Sequence, residues 1–228
     1  MKELVLAFSP FGNGQSISPF DNVFTHSQDA FAEGFANADA FILWGGTDIH
    51  PSFYKDQVSQ YSGAPLIPSD RDIWEWKAMQ YCKANGIPII GVCRGAQFLC
   101  AFAGGKLIQH CNNHDSGTHL VVDIDGETYP VTSSHHQMLD VQGTKHEMIA
   151  WTPKPLSVFY YGEKSKSPAH IEKGLSTGTF CEPEVVFFPE VKGLAIQGHP
   201  EWADKNSIFV KKSCEQVVEY LFSGKEWK

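Results

Sequence analysis

The chain has 228 residues, 42% of them hydrophobic, and 18 basic against 26 acidic residues give it a net charge of −8. One well-buried core fits that length, and no apolar run is long enough to span a membrane as a helix. The acidic balance, with no basic cluster beyond Lys211-Lys212, speaks against nucleic acid. Six irregularly spaced cysteines without a CxxC pair indicate neither a zinc site nor a disulfide framework. The run after Lys2 is too short and too acidic for a signal peptide, so a reducing cytoplasm and a single domain over 1–228 are expected. In chain order, short apolar runs alternate with amphipathic ones, as in parallel α/β proteins. Segments 4–8 and 40–44 read as buried strands, with a helix over 28–37 between them capped by Ser27. A helix over 72–85 follows, with a capping-box pattern at Ser69-Asp70-Arg71-Asp72 and a stop at Gly86 and Pro88. A second helix ends at Gly104-Gly105. Segments 119–124, 128–131, 148–151 and 158–161 read as shorter, partly antiparallel strands. Val210, Cys214, Val217, Val218 and Leu221 then recur at helical spacing, so a last helix packs on the sheet.

The most telling stretch lies between the strand at Ile89-Ile90 and the second helix. Gly91-Val92-Cys93-Arg94-Gly95 is a G-x-C-x-G form of the nucleophile elbow, a strained turn that presents one side chain. The N-terminus of the following helix favours a thiolate there. Cys82, Cys100, Cys111, Cys181 and Cys214 lack such a turn and read as small buried hydrophobes. A thiolate needs a base, and the base needs an orienting group. Gln197-Gly198-His199-Pro200-Glu201 follows an apolar strand and supplies both, although Glu201 alone also reads as an N-cap for a following helix. The order nucleophile, His, acid separates the chain from α/β-hydrolases, in which the acid precedes the His.

With these two motifs the chain resembles the class I glutamine amidotransferase superfamily. Three further segments narrow the resemblance to the γ-glutamyl-γ-aminobutyrate hydrolase group, the peptidase C26 family. They are Trp44-Gly45-Gly46-Thr47-Asp48-Ile49-His50-Pro51, the R-D-x-x-E start Arg71-Asp72-Ile73-Trp74-Glu75, and Ser133-Ser134-His135-His136-Gln137. The resemblance implies a three-layer α/β fold, flavodoxin-like, with a mostly parallel central sheet flanked by helices and a small antiparallel addition. It implies a cysteine hydrolase of γ-glutamyl amides with Cys93, His199 and Glu201 catalytic and the N–H groups of Gly46 and Arg94 as the oxyanion hole. No cofactor or metal is required. Gln97, His135, His136 and Gln137 are assigned to the substrate pocket; the two adjacent histidines point to opposite faces and make a poor chelate. Asp72 and Glu75 read equally as caps or surface charges, and the Arg94 side chain as one half of an ion pair.

The chain also departs from the family. Thr132-Ser133-Ser134 stands where members carry Asn-Ser-aromatic, and only Glu184 stands for an Asp-Gly-x-x-Glu segment. Segment 153–182 reads as a long loop over the site, and 12–22 replaces the usual first-helix approach with a Gly/Asn/Ser/Pro loop. The expected partner is a small γ-glutamyl substrate, with neither nucleic acid nor membrane, and a homodimer stays open. The alternative is a glutaminase subunit passing ammonia to a separate synthase; a noncatalytic binding module ranks below both.

Overall fold

The computed structural model describes residues 3–11, 18–115, 117–161 and 182–224. Four buried apolar segments make the centre of the sheet: β1 (Val5–Phe8), β3 (Ala40–Leu43), β4 (Ile89–Val92) and β13 (Gly193–Ile196). They run parallel, with β2 (His26–Asp29) as the edge strand beside β1. On the other side of β13 the same sheet continues antiparallel through β12 (Pro183–Phe188), β10 (Glu147–Trp151), β7 (Thr118–Asp123) and β8 (Thr128–Thr132). The nine strands are ordered β2-β1-β3-β4-β13-β12-β10-β7-β8. Two small antiparallel pairs lie outside it, β5 (Lys106–Ile108) with β9 (Met138–Asp140) and β6 (His110–Cys111) with β11 (Tyr160–Tyr161).

Because successive strand residues face opposite sides, the sheet has two cores. Leu6, Ile42, Ile90 and Leu194 face one way, against Phe209, Val210 and Val217 of α3 (Ile208–Val217). Ala7, Phe41, Leu43 and Ile89 face the other, under Met79 and Cys82 of α1 (Asp70–Asn85) and Phe98 and Leu99 of α2 (Arg94–Phe102). This is the expected three-layer α/β arrangement. The capping box forms as read: the Ser69 side chain accepts from Asp72 N, and the Asp72 carboxylate accepts from Ser69 N. Cys82, Cys100, Cys111 and Cys214 are free and buried as expected, whereas Cys181 lies outside the described residues, as do most of 153–182 and 12–22.

The expected helix over 28–37 does not form. Its first residues are taken by β2, paired Val5↔His26 through Phe8↔Asp29. Beyond the strand, Asp29 Oδ1 accepts from the N–H groups of Phe31 and Ala32, and Gln28 Nε2 donates to Gly34 O at 2.6 Å. These side-chain bonds hold a chain of turns where helical backbone bonds were expected. At the C-terminus the helix passes into a π-helical turn, Val218–Phe222. Val218, where this turn begins, is half exposed and lies outside the buried stripe.

Candidate active site

The C-terminal ends of β3, β4 and β13 meet at the elbow. Cys93 follows β4 directly with φ 52° and ψ −109°, a sparsely populated conformation for a residue with a Cβ. It is held by its own N–H, which donates to Ile196 O at 2.8 Å, and by its carbonyl, which accepts from Gln97 N. A Cβ on Gly95 would run into the Leu43 carbonyl, so glycine is what lets α2 lie against β3. Cys93 is 6% exposed. Contrary to the reading of a residue standing out on a turn, its thiol forms part of the floor of a cleft.

His199 enters from the end of β13. Its backbone is clasped by one hydroxyl: Thr132 Oγ1 accepts from His199 N at 2.9 Å and donates to His199 O at 2.7 Å. The ring stacks on Trp202 with centroids 3.6 Å apart and planes at 3°, and its Nδ1 is 2.7 Å from Glu201 Oε1. Burial disfavours the imidazolium, yet hydrogen bonds with Cys93 and Glu201 outweigh it and raise the His199 pKa to about 9. Glu201 sits in a 3-10 turn, and the N-cap of α3 is Ser207, so the capping role read for Glu201 does not arise. An imidazole between a thiol and a carboxylate can take a proton from sulfur and return it.

The third wall is the turn Trp44-Gly45-Gly46, in which Gly46 has φ +150°. Arg71 fixes it, donating from Nη2 to Trp44 O at 2.8 Å and from Nη1 to Gly45 O at 3.1 Å. Arg71 Nε donates in turn to Glu75 Oε1. Arg94 Nη1 reaches Glu75 Oε2 and Nη2 reaches Asp72 Oδ1, each at 2.5 Å, and Ser9 Oγ donates to Glu75 Oε1. Asp72 and Glu75 are therefore buried members of a charge cluster and not surface charges, and the ion pair expected of Arg94 across the elbow helix is made instead to these two residues of α1. From sequence Arg71 is named only as the start of the R-D-x-x-E segment and given no role. The signal was available, since Arg71 and Glu75 are four apart and share a helix face.

The cleft has a volume of about 250 Å³ and is lined by Trp44, Gly45, Gly46, Cys93, Ser134, His199, Glu201 and Trp202. Gln97, His135, His136 and Gln137, assigned to the substrate pocket, are not in this lining. Gln97 Nε2 donates to Gln137 O, Gln137 Nε2 to Gln109 O, His135 Nδ1 bonds Gln137 O at 2.9 Å, and His136 Nε2 bonds Asp48 Oδ1. Their polar atoms secure the loop behind the cleft, and within that loop it is Ser134 that faces the cavity.

Comparison with known proteins finds similar sequences and a similar fold. The family model described as Peptidase C26 matches residues 22–167. A protein of Lactococcus lactis named "Putative glutamine amidotransferase-like protein YvdE" is 27% identical over 199 residues, covering 78% of this chain and 72% of its own. The γ-glutamyl-CDP-amidate hydrolase of Campylobacter jejuni is 35% identical over 75 residues, 33% of this chain and 32% of its own. Coverage is short for other relatives too; a Mycobacterium tuberculosis protein is matched over 39% of its length. Among solved structures, a glutamine amidotransferase of Thermotoga maritima superposes with a TM-score of 0.58 at 11% identity, covering 96% of this chain and 86% of its own, which establishes the fold. No helix among the described residues is long and apolar enough to cross a membrane.

Proposed function

The chain belongs to the peptidase C26 family, and from that premise we propose that it hydrolyses γ-glutamyl amide bonds through a thioester on Cys93. The observation that carries this reading is that Cys93, His199 and Glu201 line one cleft together with the Gly45-Gly46 turn, with His199 Nδ1 2.7 Å from Glu201 Oε1. Sγ attacks the side-chain carbonyl carbon of the γ-glutamyl group, and the carbonyl electron pair moves onto oxygen. The N–H groups of Gly46 and Arg94 receive that oxyanion, each donor worth about 2.7–4 kcal/mol in related acyl transfer. The His199 imidazolium gives its proton to the departing amine as the C–N bond breaks, leaving a thioester and a neutral imidazole. Water then adds, His199 takes its proton, the C–S bond breaks, and glutamate leaves with thiolate and imidazolium restored. Glu201 acts through His199 by holding the ring. Ser134, Trp44 and Trp202 also line the cleft, and in this reading they meet the leaving amine. A relative named for hydrolysis of γ-glutamyl-CDP-amidate supports this substrate class.

The second reading, a glutaminase subunit feeding a synthase, is favoured by one observation. The carbamoyl phosphate synthase small chain of Buchnera aphidicola is 37% identical over 59 residues, 26% of this chain and 15% of its own. Mass spectrometry of the acyl-enzyme trapped with a panel of γ-glutamyl amides separates the two. A γ-glutamyl adduct formed by the isolated chain from several amides is expected. Hydrolysis of glutamine alone, and only with a synthase added, would replace the first reading by the second.

A further inference from the structure

Behind the Ser134 loop, on the side away from the cleft, lies a group of titratable side chains that the hydrolysis does not use. His114 follows β6, His119 is on β7, His135 lies between β8 and β9, Glu182 directly precedes β12 and Glu184 lies in it. His114, His135 and both carboxylates are buried, and among the described residues the ion-pair partners of Glu182 and Glu184 are histidines. Two carboxylates out of water need positive charge nearby.

An outer bond fixes where the His135 ring proton sits. His135 Nδ1 is 2.9 Å from the Gln137 carbonyl, which can only accept, so Nδ1 carries the proton and Nε2 presents a lone pair. His114 Nε2 lies 3.0 Å from Glu182 Oε2 without forming a hydrogen bond to it, and His114 Nδ1 is likewise without a partner. Glu182 is itself held by Thr152 Oγ1, the N–H groups of Leu156 and Ser157, and Tyr160 Oη. Inside this frame, Glu184 Oε1 lies 3.5 Å from His114 Nδ1, 3.9 Å from His135 Nε2 and 2.9 Å from His119 Nε2. His135 Nε2 and Glu184 Oε2 have no hydrogen-bond partner. A proton on His114 Nδ1 would satisfy that one contact and leave these two bare. A cation at the centre satisfies all of them.

We propose that His114, His135 and Glu184, with His119 closing the fourth position, bind one divalent transition-metal ion of the zinc type. Donor atoms of the first three lie within 4.8 Å of one another. A tetrahedron with bonds of about 2.0–2.1 Å has edges of about 3.3–3.4 Å, so side-chain shifts below about 1 Å bring the donors to bonding distance. Imidazoles with one carboxylate suit such an ion, and Glu182 beside His114 stands where a carboxylate behind a metal-bound histidine fixes ring orientation. Its charge would balance the two glutamates. The ion would be structural, tying the Ser134 loop to β12 behind the leaving-group wall, with no part in the sulfur chemistry.

The test uses the full chain carrying Cys93→Ala, so that the cleft thiol does not compete for metal. Stripped with chelator and titrated with Zn²⁺ and, separately, Co²⁺, it is expected to bind about one ion per chain. The melting temperature should rise with free Zn²⁺, and Co²⁺ should give a tetrahedral d–d band without thiolate charge transfer. His135→Ala and Glu184→Gln should each weaken binding by at least about tenfold. A stripped chain that binds neither ion and melts at the same temperature with and without Zn²⁺ overturns the proposal and leaves a proton on His114 as the cation. Because that readout comes from a chain with the whole cluster intact, it stands even if the cluster variants do not fold. It is also independent of turnover, so its failure leaves the hydrolase reading untouched.

Discussion

Replacing Glu201 by Gln keeps the size of the side chain and removes its charge from His199 Nδ1, 2.7 Å away. The His199 pKa stands at about 9, against an ordinary value of 6.5, even though burial opposes the charged ring. That rise of about 2.5 units corresponds to about 3 kcal/mol favouring the imidazolium, at about 1.4 kcal/mol per unit, and Glu201 is one of the two groups responsible. Losing its share should bring the apparent pKa down by at least about one unit. At pH 8 about nine-tenths of the wild-type rings are charged; with a pKa near 8 about half would be, so the supply of general acid falls about twofold before any loss of ring orientation. The assay is kcat/KM for a γ-glutamyl amide across pH, whose alkaline limb should move to lower pH in the variant while KM changes little. Stability must follow the same sign. A folded-state pKa above the unfolded one stabilises fully below pH 6.5, and that contribution is lost as pH rises through about 9. The wild-type melting temperature should therefore fall across this window more steeply than that of Glu201→Gln. An alkaline limb that stays in place, with an unchanged melting profile, would refute the role given to Glu201.

Cys93→Ala should abolish turnover, and a variant retaining a tenth of the wild-type rate would exclude Cys93 as nucleophile. Because position 93 holds φ 52°, Cys93→Gly should be more stable than Cys93→Ala by about 1 kcal/mol in denaturant melts; the reverse order would show that the turn is not strained. Gly46→Ala puts a Cβ against Arg71 Nη1 at a backbone angle that L-residues rarely adopt, and it should lower kcat by about 10²–10³ with KM nearly unchanged. A change confined to KM would remove Gly46 from the oxyanion site. Glu75→Ala leaves the buried Arg94 guanidinium and the partly buried one of Arg71 short of a partner and should cost about 3–5 kcal/mol of stability in thermal or denaturant melts, whereas a loss below about 1 kcal/mol would mean that water replaces it.

What the sequence made legible is what local rules control. The strand, elbow and helix around Cys93, the capping box at Ser69 and the short bond from His199 to Glu201 all follow from residues close together in the chain. What it hid depends on which side of a segment meets which neighbour. Gln28 and Asp29 lie in a segment with helical spacing, yet an open edge beside β1 took it as a strand. Ser134 and His135 are adjacent, and the motif drew attention to the histidine, while the cavity meets the serine. His135 and His136 do diverge as read, but His135 converges with His114, a residue 21 positions away that no local pattern connects to it.

The least legible feature explains how the site keeps its shape. Glu75 accepts Ser9 and Arg71 on one oxygen and Arg94 on the other, so the end of β1, the glycine turn and the elbow helix all meet on one carboxylate. Two arginines against Asp72 and Glu75 leave the cluster without net charge, which is why four ionised groups, three of them fully buried, are tolerated together. The consequence lies in spacing. The Gly46 and Arg94 N–H groups are supplied by segments about fifty residues apart, and an oxyanion needs both at hydrogen-bond distance at the same moment. Arg71 grips the carbonyls of Trp44 and Gly45 while sharing Glu75 with Arg94, so a shift of either segment strains the same carboxylate. Relative placement is thus set by buried charge, and the R-D-x-x-E motif is the part of this chain that sets it.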